Sequence, residues 1–338
     1  MKALPKSLWA STATPAASYP PLRGEVKTDC VIVGGGFTGL STALHLAERS
    51  VGAVLIEANE PGWGASGRNG GQVIPGLKLD PSELRAKYGE ERGRRLTTTV
   101  GMTADLVFDL IERHRIDCDA RRSGWIQAAP GPKGLDQVRR RAEEWSVDGA
   151  DVVLLDRHEV HSRTGCGAYV GAFLDRRGGT IQPLSYARGL ARAATAAGAQ
   201  IHGDSPAVVL ERAGQLWKLT TPVGAVTASH VVLCTNGYTD RLWPDLATTV
   251  IPVLSSVVAT EPLSDNLRNV ILPGREGVSE TRRVLNWFNM DGKGRLVFGG
   301  RAHQHETDDP QAFRAVMRRL QSTFPILGEP RIEFRWAG

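Results

Sequence analysis

Gly34, Gly36 and Gly39 stand in the spacing G-x-G-x-x-G, and a carboxylate, Glu57, follows about 20 residues on. That set suits a dinucleotide. Gly34 permits a tight turn, Gly36 lets a pyrophosphate approach the backbone, and Gly39 lets a helix pack closely on a strand. The helix starting here, with Phe37 and Thr38 in its first turn, offers free N–H groups and a positive dipole end to phosphate. Glu57, with Ala58 beside it, is placed to accept from ribose hydroxyls, which disfavours a 2'-phosphate.

A second glycine-dense stretch, residues 61–72, contains Ala65, Ser66, Arg68, Asn69, Gly70 and Gly71. It is too rich in glycine for a crossover helix. A loop of this kind exposes many backbone N–H groups and is able to wrap the second half of a large cofactor. A nicotinamide enzyme usually passes from its second strand straight into a helix, so the loop favours FAD over NAD.

The elements that must hold these residues follow from periodicity. Residues 30–33 form a short β-branched run, Leu40, Ala43, Leu44 and Ala47 recur at helical spacing, and residues 53–57 form a second strand. The order is strand, turn, helix, strand. Residues 181–197 carry Leu184, Leu190, Ala193 and Ala197 on one side of a helix that Gly198 ends. A strand opens at Ile201. Residues 231–234 read as a buried strand running into a turn at Thr235, Asn236 and Gly237, either a plain turn or, at a strand end where ligands gather in doubly wound sheets, part of a site. Residues 283–301 alternate around Asp291-Gly292-Lys293-Gly294, a hairpin signal.

The segments DCVIVGGGFTGL and GASGRNGG together resemble the D-amino-acid oxidase superfamily of FAD-dependent amine oxidoreductases, and within it the gamma-glutamylputrescine oxidoreductase branch. The likeness continues through residues 178–194, 231–238 and 294–301. It implies an α/β fold, in which a Rossmann-type FAD-binding domain of parallel sheet and helices is interleaved with an antiparallel-sheet α+β substrate domain. The expected division is an extended lead-in over residues 1–28, a discontinuous FAD-binding domain over 29–80 and 150–245, and a substrate domain over 81–149 and 246–338.

The resemblance also implies residue roles. The backbone at Ala207 and Val208 would meet the adenine, and Thr235 and Asn236 would sit near the cofactor. The sheet carrying Trp287, Asn289, Arg301 and Trp336 would floor a substrate pocket. Relatives often carry two aromatics and then Arg, where this chain has Trp287, Phe288 and Asn289, and Asn makes no charged fork to a carboxylate. Relatives that tether FAD through His do so about where Arg68 stands, so non-covalent FAD is expected. The implied reaction moves a hydride from a C–H next to a neutral amine onto FAD, leaving an imine for hydrolysis. Electrons then pass to oxygen or another acceptor. No catalytic base is demanded. Relatives continue past Trp336-Ala337-Gly338 into a closing segment, so the resemblance also implies a fragment or a truncated homologue. A non-catalytic remnant and an NAD-dependent dehydrogenase stay as the alternative readings.

Composition narrows the field further. A net charge of +5 and a pI near 9.2 come from Lys and Arg interleaved with acids over 338 residues, which argues against nucleic-acid binding. Arg139, Arg140 and Arg141, followed by Glu143 and Glu144, read as a solvated helix face. Cys30, Cys118, Cys166 and Cys234 lack metal spacing and read as reduced, mostly buried thiols. His303 and His305 beside Glu306, Asp308 and Asp309 read as a polar loop, and no metal is expected. No apolar run reaches the length of a membrane span, and Pro5, Pro15, Pro20 and Pro21 break the amino terminus before a signal-peptide core forms. A cytoplasmic protein is expected.

Overall fold

The computed structural model describes residues 2–301 and 309–338. His303, His305, Glu306 and Asp308 lie outside the described residues, whereas Asp309 caps a short helical turn by accepting from the Gln311 N–H at 2.9 Å.

The chain divides into two compact units, residues 1–69, 114–118 and 183–253 in the first, and 70–113, 119–182 and 254–338 in the second. The first holds a six-stranded sheet in the order Gln200–His202, Ala53–Ile56, Gly24–Val33, Gly224–Leu233, Leu216–Thr220, Val209–Ala213. The first four strands are parallel and the last two antiparallel. The opening strand leads through the glycine turn into the helix Phe37–Ala47, whose Leu40, Ala43 and Leu44 are buried. The helix Pro183–Ala196 is buried along most of its length, and Gly198 follows it at φ +107°.

The second unit is built on an eight-stranded sheet ordered Ile332–Ala337, Ser255–Pro262, Arg295–Arg301, Asn286–Met290, Gly277–Glu280, Trp125–Ala129, Gly171–Asp175, Val152–Leu155. The pairing is antiparallel except between Gly277–Glu280 and Trp125–Ala129. Phe288 and Phe298, opposite each other on adjacent strands, lie with ring centroids 6.0 Å apart, and Phe324 meets Phe288 edge-on at 5.0 Å. Alternation along the strand therefore sends Trp287 and Asn289 to the other face. The hairpin around residues 291–294 forms as expected.

Three expectations change. The amino terminus is not simply extended: Leu8–Thr12 is a short helix, with the Ser7 hydroxyl accepting from the Ala10 N–H, and Leu8 and Trp9 are buried. The strand expected near Asp29 begins at Gly24, because its first half sits at the sheet margin with side chains largely exposed and leaves no apolar signature. Residues 150–182 lie in the second unit, since Val152–Leu155 and Gly171–Asp175 pair in the eight-stranded sheet, and residues 70–80 lie there too, whereas residues 114–118 and 246–253, expected in the substrate domain, lie in the first. A short apolar strand does not announce which sheet it will join.

Arg141 also departs from the solvated face. It is buried, with Nε 2.6 Å from the Asp80 carboxylate and further bonds to Gln127 Oε1 and the Lys78 carbonyl. The helix Pro132–Val147 buries Val138, Arg141 and Trp145, so the face that buries Arg141 is the apolar one.

Candidate cofactor cleft

The glycine turn and the two loops beside it enclose a cleft in the first unit. It is lined by Gly34, Gly35 and Gly36, by Glu57, Ala58 and Asn59, by Trp63 to Ser66, by Pro206 and Ala207, and by residues at the end of the strand Gly224–Leu233. Parallel strand ends and a helix start therefore converge on one hollow, the place where such sheets take ligands.

Each fingerprint glycine has a structural reason. Gly34 stands at φ +107°, and a Cβ there would lie 2.7 Å from the Cys234 carbonyl oxygen. At Gly39 a Cβ would fall 2.0 Å from the Gly34 carbonyl and 3.3 Å from Ile32, so close helix packing excludes any side chain. A Cβ on Gly36 would project 2.9 Å from Ser66 Oγ, on the cleft wall. Ser66 Oγ also accepts from the Phe37 N–H at 3.0 Å, joining the second loop to the helix start.

Glu57 leaves the strand Ala53–Ile56 and turns its carboxylate back on the fingerprint. Oε2 accepts from the Gly35 N–H at 2.6 Å and Oε1 from the Asn59 N–H at 2.8 Å. Burial pushes its carboxyl above the ordinary range, and the backbone N–H groups of Gly35, Asn59 and Ala58 pull part of the way back.

The second loop is a brief 3-10 turn over Ala65–Gly67, which Asn69 staples by donating from Nδ2 to the Ala65 and Ser66 carbonyls. Arg68 is not on the cleft wall. It is fully buried, its Nε donates to the Trp63 carbonyl, and its guanidinium lies 4.3 Å from the Trp63 ring centroid, behind the residue that does line the cleft. Gly70 and Gly71 fall in the second unit, where the Gly71 carbonyl accepts from the Ile181 N–H.

Ala207 lines the cleft but Val208 does not. Val208 is exposed, and its N–H is committed to the Thr220 carbonyl. Thr235 and Asn236 do line it, Asn236 at φ +47°. Phe37 and Thr38 belong to the helix start rather than the wall, and the Phe37 ring meets Tyr186 edge-on at 5.3 Å. Sequence reasoning missed Asn59, Trp63 and Tyr238. Trp63 sat in view between Gly62 and Gly64, where an aromatic in a glycine-dense loop signals a wall. Tyr238, whose ring meets Trp63 edge-on at 5.8 Å, had no such signal.

Among the substrate-side candidates, Trp287 is half-buried and Asn289 and Trp336 are buried, whereas Arg301 is exposed. Trp287 opposes Gly299, Gly299 opposes Val257, and Val257 opposes Trp336, so all share one face of the eight-stranded sheet. The Trp287 ring lies against both Gly299 and Gly70, where added Cβ atoms would fall 2.1 and 2.7 Å from it.

A glycine cradle at a helix start, a carboxylate beside it and an aromatic wall match the demands of FAD. The chain belongs to the DAO family of FAD dependent oxidoreductases, whose profile matches residues 29–338, and FAD is its cofactor. It is 33% identical over 334 residues to gamma-glutamylputrescine oxidoreductase of Escherichia coli (strain K12), covering 98% of this chain and 78% of that protein. It is also 32% identical to a probable oxidoreductase, OrdL, of Rhizobium meliloti (strain 1021), covering 98% and 77%. Among solved structures, glycine oxidase from Bacillus cereus ATCC 14579 superposes with a TM-score of 0.71 at 21% identity, over 92% of this chain and 82% of that one. No helix among the described residues is long and apolar enough to cross a membrane.

Proposed function

We propose that this chain oxidises a C–N bond of a small primary or secondary amine, of the gamma-glutamylputrescine or amino-acid kind, in the cytoplasm. The observation that carries the reading is the 33% identity to gamma-glutamylputrescine oxidoreductase along 98% of the chain. The cleft supports it.

FAD, held without a covalent bond, would supply the acceptor for the hydride that leaves the carbon next to nitrogen. The residues proposed to hold it are Gly34, Gly36 and Gly39 at the pyrophosphate, Glu57 at the ribose, Ala65 and Ser66 along the second loop, and Ala207, Thr235 and Asn236 around the remaining wall. The Glu57 carboxylate and the Ser66 and Thr235 hydroxyls are already fixed by bonds within the protein, which lowers the cost of ordering them on binding. The half-buried Glu57 carboxylate would accept from hydroxyl donors in a site drier than bulk water, where such bonds are strong.

On the substrate side, Trp287 offers an apolar wall that displaces water from an uncharged amine, and Asn289 fixes the backbone beneath it. No side chain is assigned as a proton acceptor, because a neutral amine asks for none. The imine hydrolyses, and the electrons pass on to oxygen or another acceptor.

The test is anaerobic mixing of the FAD-loaded chain with gamma-glutamylputrescine, putrescine, sarcosine and glycine in turn. Bleaching of the visible flavin band by one of them supports the reading. A flavin that stays oxidised with every amine, in a chain that holds FAD, sinks it. Acid precipitation should leave the flavin in solution if the attachment is non-covalent.

A further inference from the structure

Residues 2–14 are held to the cofactor loop at three points. The backbone N–H of Lys2 donates to Asn59 Oδ1 at 2.8 Å, and the N–H of Asn59 donates in turn to Glu57. The Ala3 carbonyl accepts from Trp63 Nε1 at 3.0 Å, so the ring that forms the cleft wall is tied from behind. Trp9 Nε1 donates to the Asn69 carbonyl at 2.8 Å, across sixty residues of sequence. The other end is moored to the buried helix Pro183–Ala196. There the Thr14 N–H donates to Ser185 Oγ, and Arg188 reaches both the Thr14 carbonyl at 2.6 Å and the Glu60 carboxylate at 2.8 Å.

We propose that this amino-terminal strap is a positioning clamp for FAD, with Trp9 as its anchor: it fixes Glu57, Trp63 and Asn69 in the arrangement that receives the cofactor. The inference rests on FAD occupying the cleft between Gly34 and Ser66. A strap that merely covered apolar surface needs buried Leu8 and Trp9 but no bonds to three successive points of one loop. The short helix Leu8–Thr12 explains how the anchor is aimed. Ser7 caps it, Leu8 is sealed from solvent, and the turn presents the indole N–H to the Asn69 carbonyl.

Linkage makes the clamp testable from both sides. If a docked strap favours FAD, bound FAD must favour a docked strap by the same factor. In Trp9→Phe an aromatic ring stays and the indole N–H goes, so FAD should bind about 3- to 10-fold more weakly, the worth of one hydrogen bond. The thermal midpoint of the apoprotein reports separately on burial. In the unaltered chain, saturating FAD should slow trypsin cleavage after the exposed Lys6, read by mass spectrometry.

A Trp9→Phe chain that binds FAD as tightly as its parent overturns the proposal, whatever its melting temperature. If that variant fails to fold, a Lys6 cleavage rate indifferent to FAD overturns it instead. Gly36→Val separates the two readings. FAD affinity unchanged by that substitution would mean that the cleft itself is misassigned, whereas a loss there with Trp9→Phe unaffected sinks the clamp alone.

Discussion

Asn289 Nδ2 donates a 2.6 Å hydrogen bond to the carbonyl oxygen of Gly70. An amide committed in this way acts on the loop backbone, and Gln72 does the same from the loop's side, donating from Nε2 to the Val278 and Phe288 carbonyls at 3.0 and 3.1 Å. Asn289→Leu keeps the branched shape and removes the donor. Stability should fall by about 1–2 kcal/mol, measured by urea denaturation. A midpoint equal to the parent's would show that the bond carries no net weight.

Trp287 keeps its place because Gly299 and Gly70 leave room for the indole. A methyl group at residue 299 would sit 2.1 Å from Trp287 Cζ2, well inside contact distance, so the ring must swing away in Gly299→Ala. With FAD still bound, turnover of the best amine should drop by at least about 10-fold, as a displaced positioning group commonly costs. Trp287→Phe, which fits the same gap, should lose less. Unchanged turnover in both variants would remove Trp287 from the proposed substrate wall.

The fingerprint was legible because each of its residues has a local reason. Gly34, Gly39 and Glu57 are fixed by a strand, a turn and a helix that all lie within thirty residues of one another. The hairpin carrying Trp287 and Asn289 was legible for the same cause, since its alternation and its turn are adjacent. What stayed hidden depended on distant partners. Tyr238 lines the cleft only because the strand Gly224–Leu233 pairs beside Gly24–Val33. The placement of residues 150–182 depends on Trp125–Ala129 accepting them. Arg68 shared its loop with true wall residues, and only the stacking on Trp63 reveals that it stands behind them.

Arg141 gives a stability test of the same kind. Its bond to Asp80 joins two charges whose side chains are 7% and 4% exposed, deep enough that removing one strands the other. Burial already pushes the Asp80 carboxyl up despite the neighbouring guanidinium. Arg141→Met should cost about 3–5 kcal/mol in chemical denaturation. Asp80→Asn combined with Arg141→Met should recover part of that loss, because no unpaired buried charge remains. A double variant less stable than Arg141→Met would mean that Asp80 matters for something other than the pair.

Glu57 links the cleft to pH. Its carboxyl lies above the ordinary 4.5 because burial disfavours the charged form. Between that ordinary value and the raised native one, the folded apoprotein holds a proton that the unfolded chain has released. Stability from this group is therefore greatest below the window, falls as pH rises through it, and is level above. With the ribose placed on Glu57 as proposed, its hydroxyls donate to the ionised form and reverse the preference, so binding should release a proton and tighten as pH rises across the same window. Glu57→Gln cannot ionise. Its FAD affinity should be about 10- to 100-fold weaker above the window, the loss of a charged acceptor, and should no longer tighten with pH across it. Titrations of parent and variant from the ordinary carboxylate range upward decide the matter. Parallel pH dependences would mean that a group other than Glu57 carries the proton released on binding.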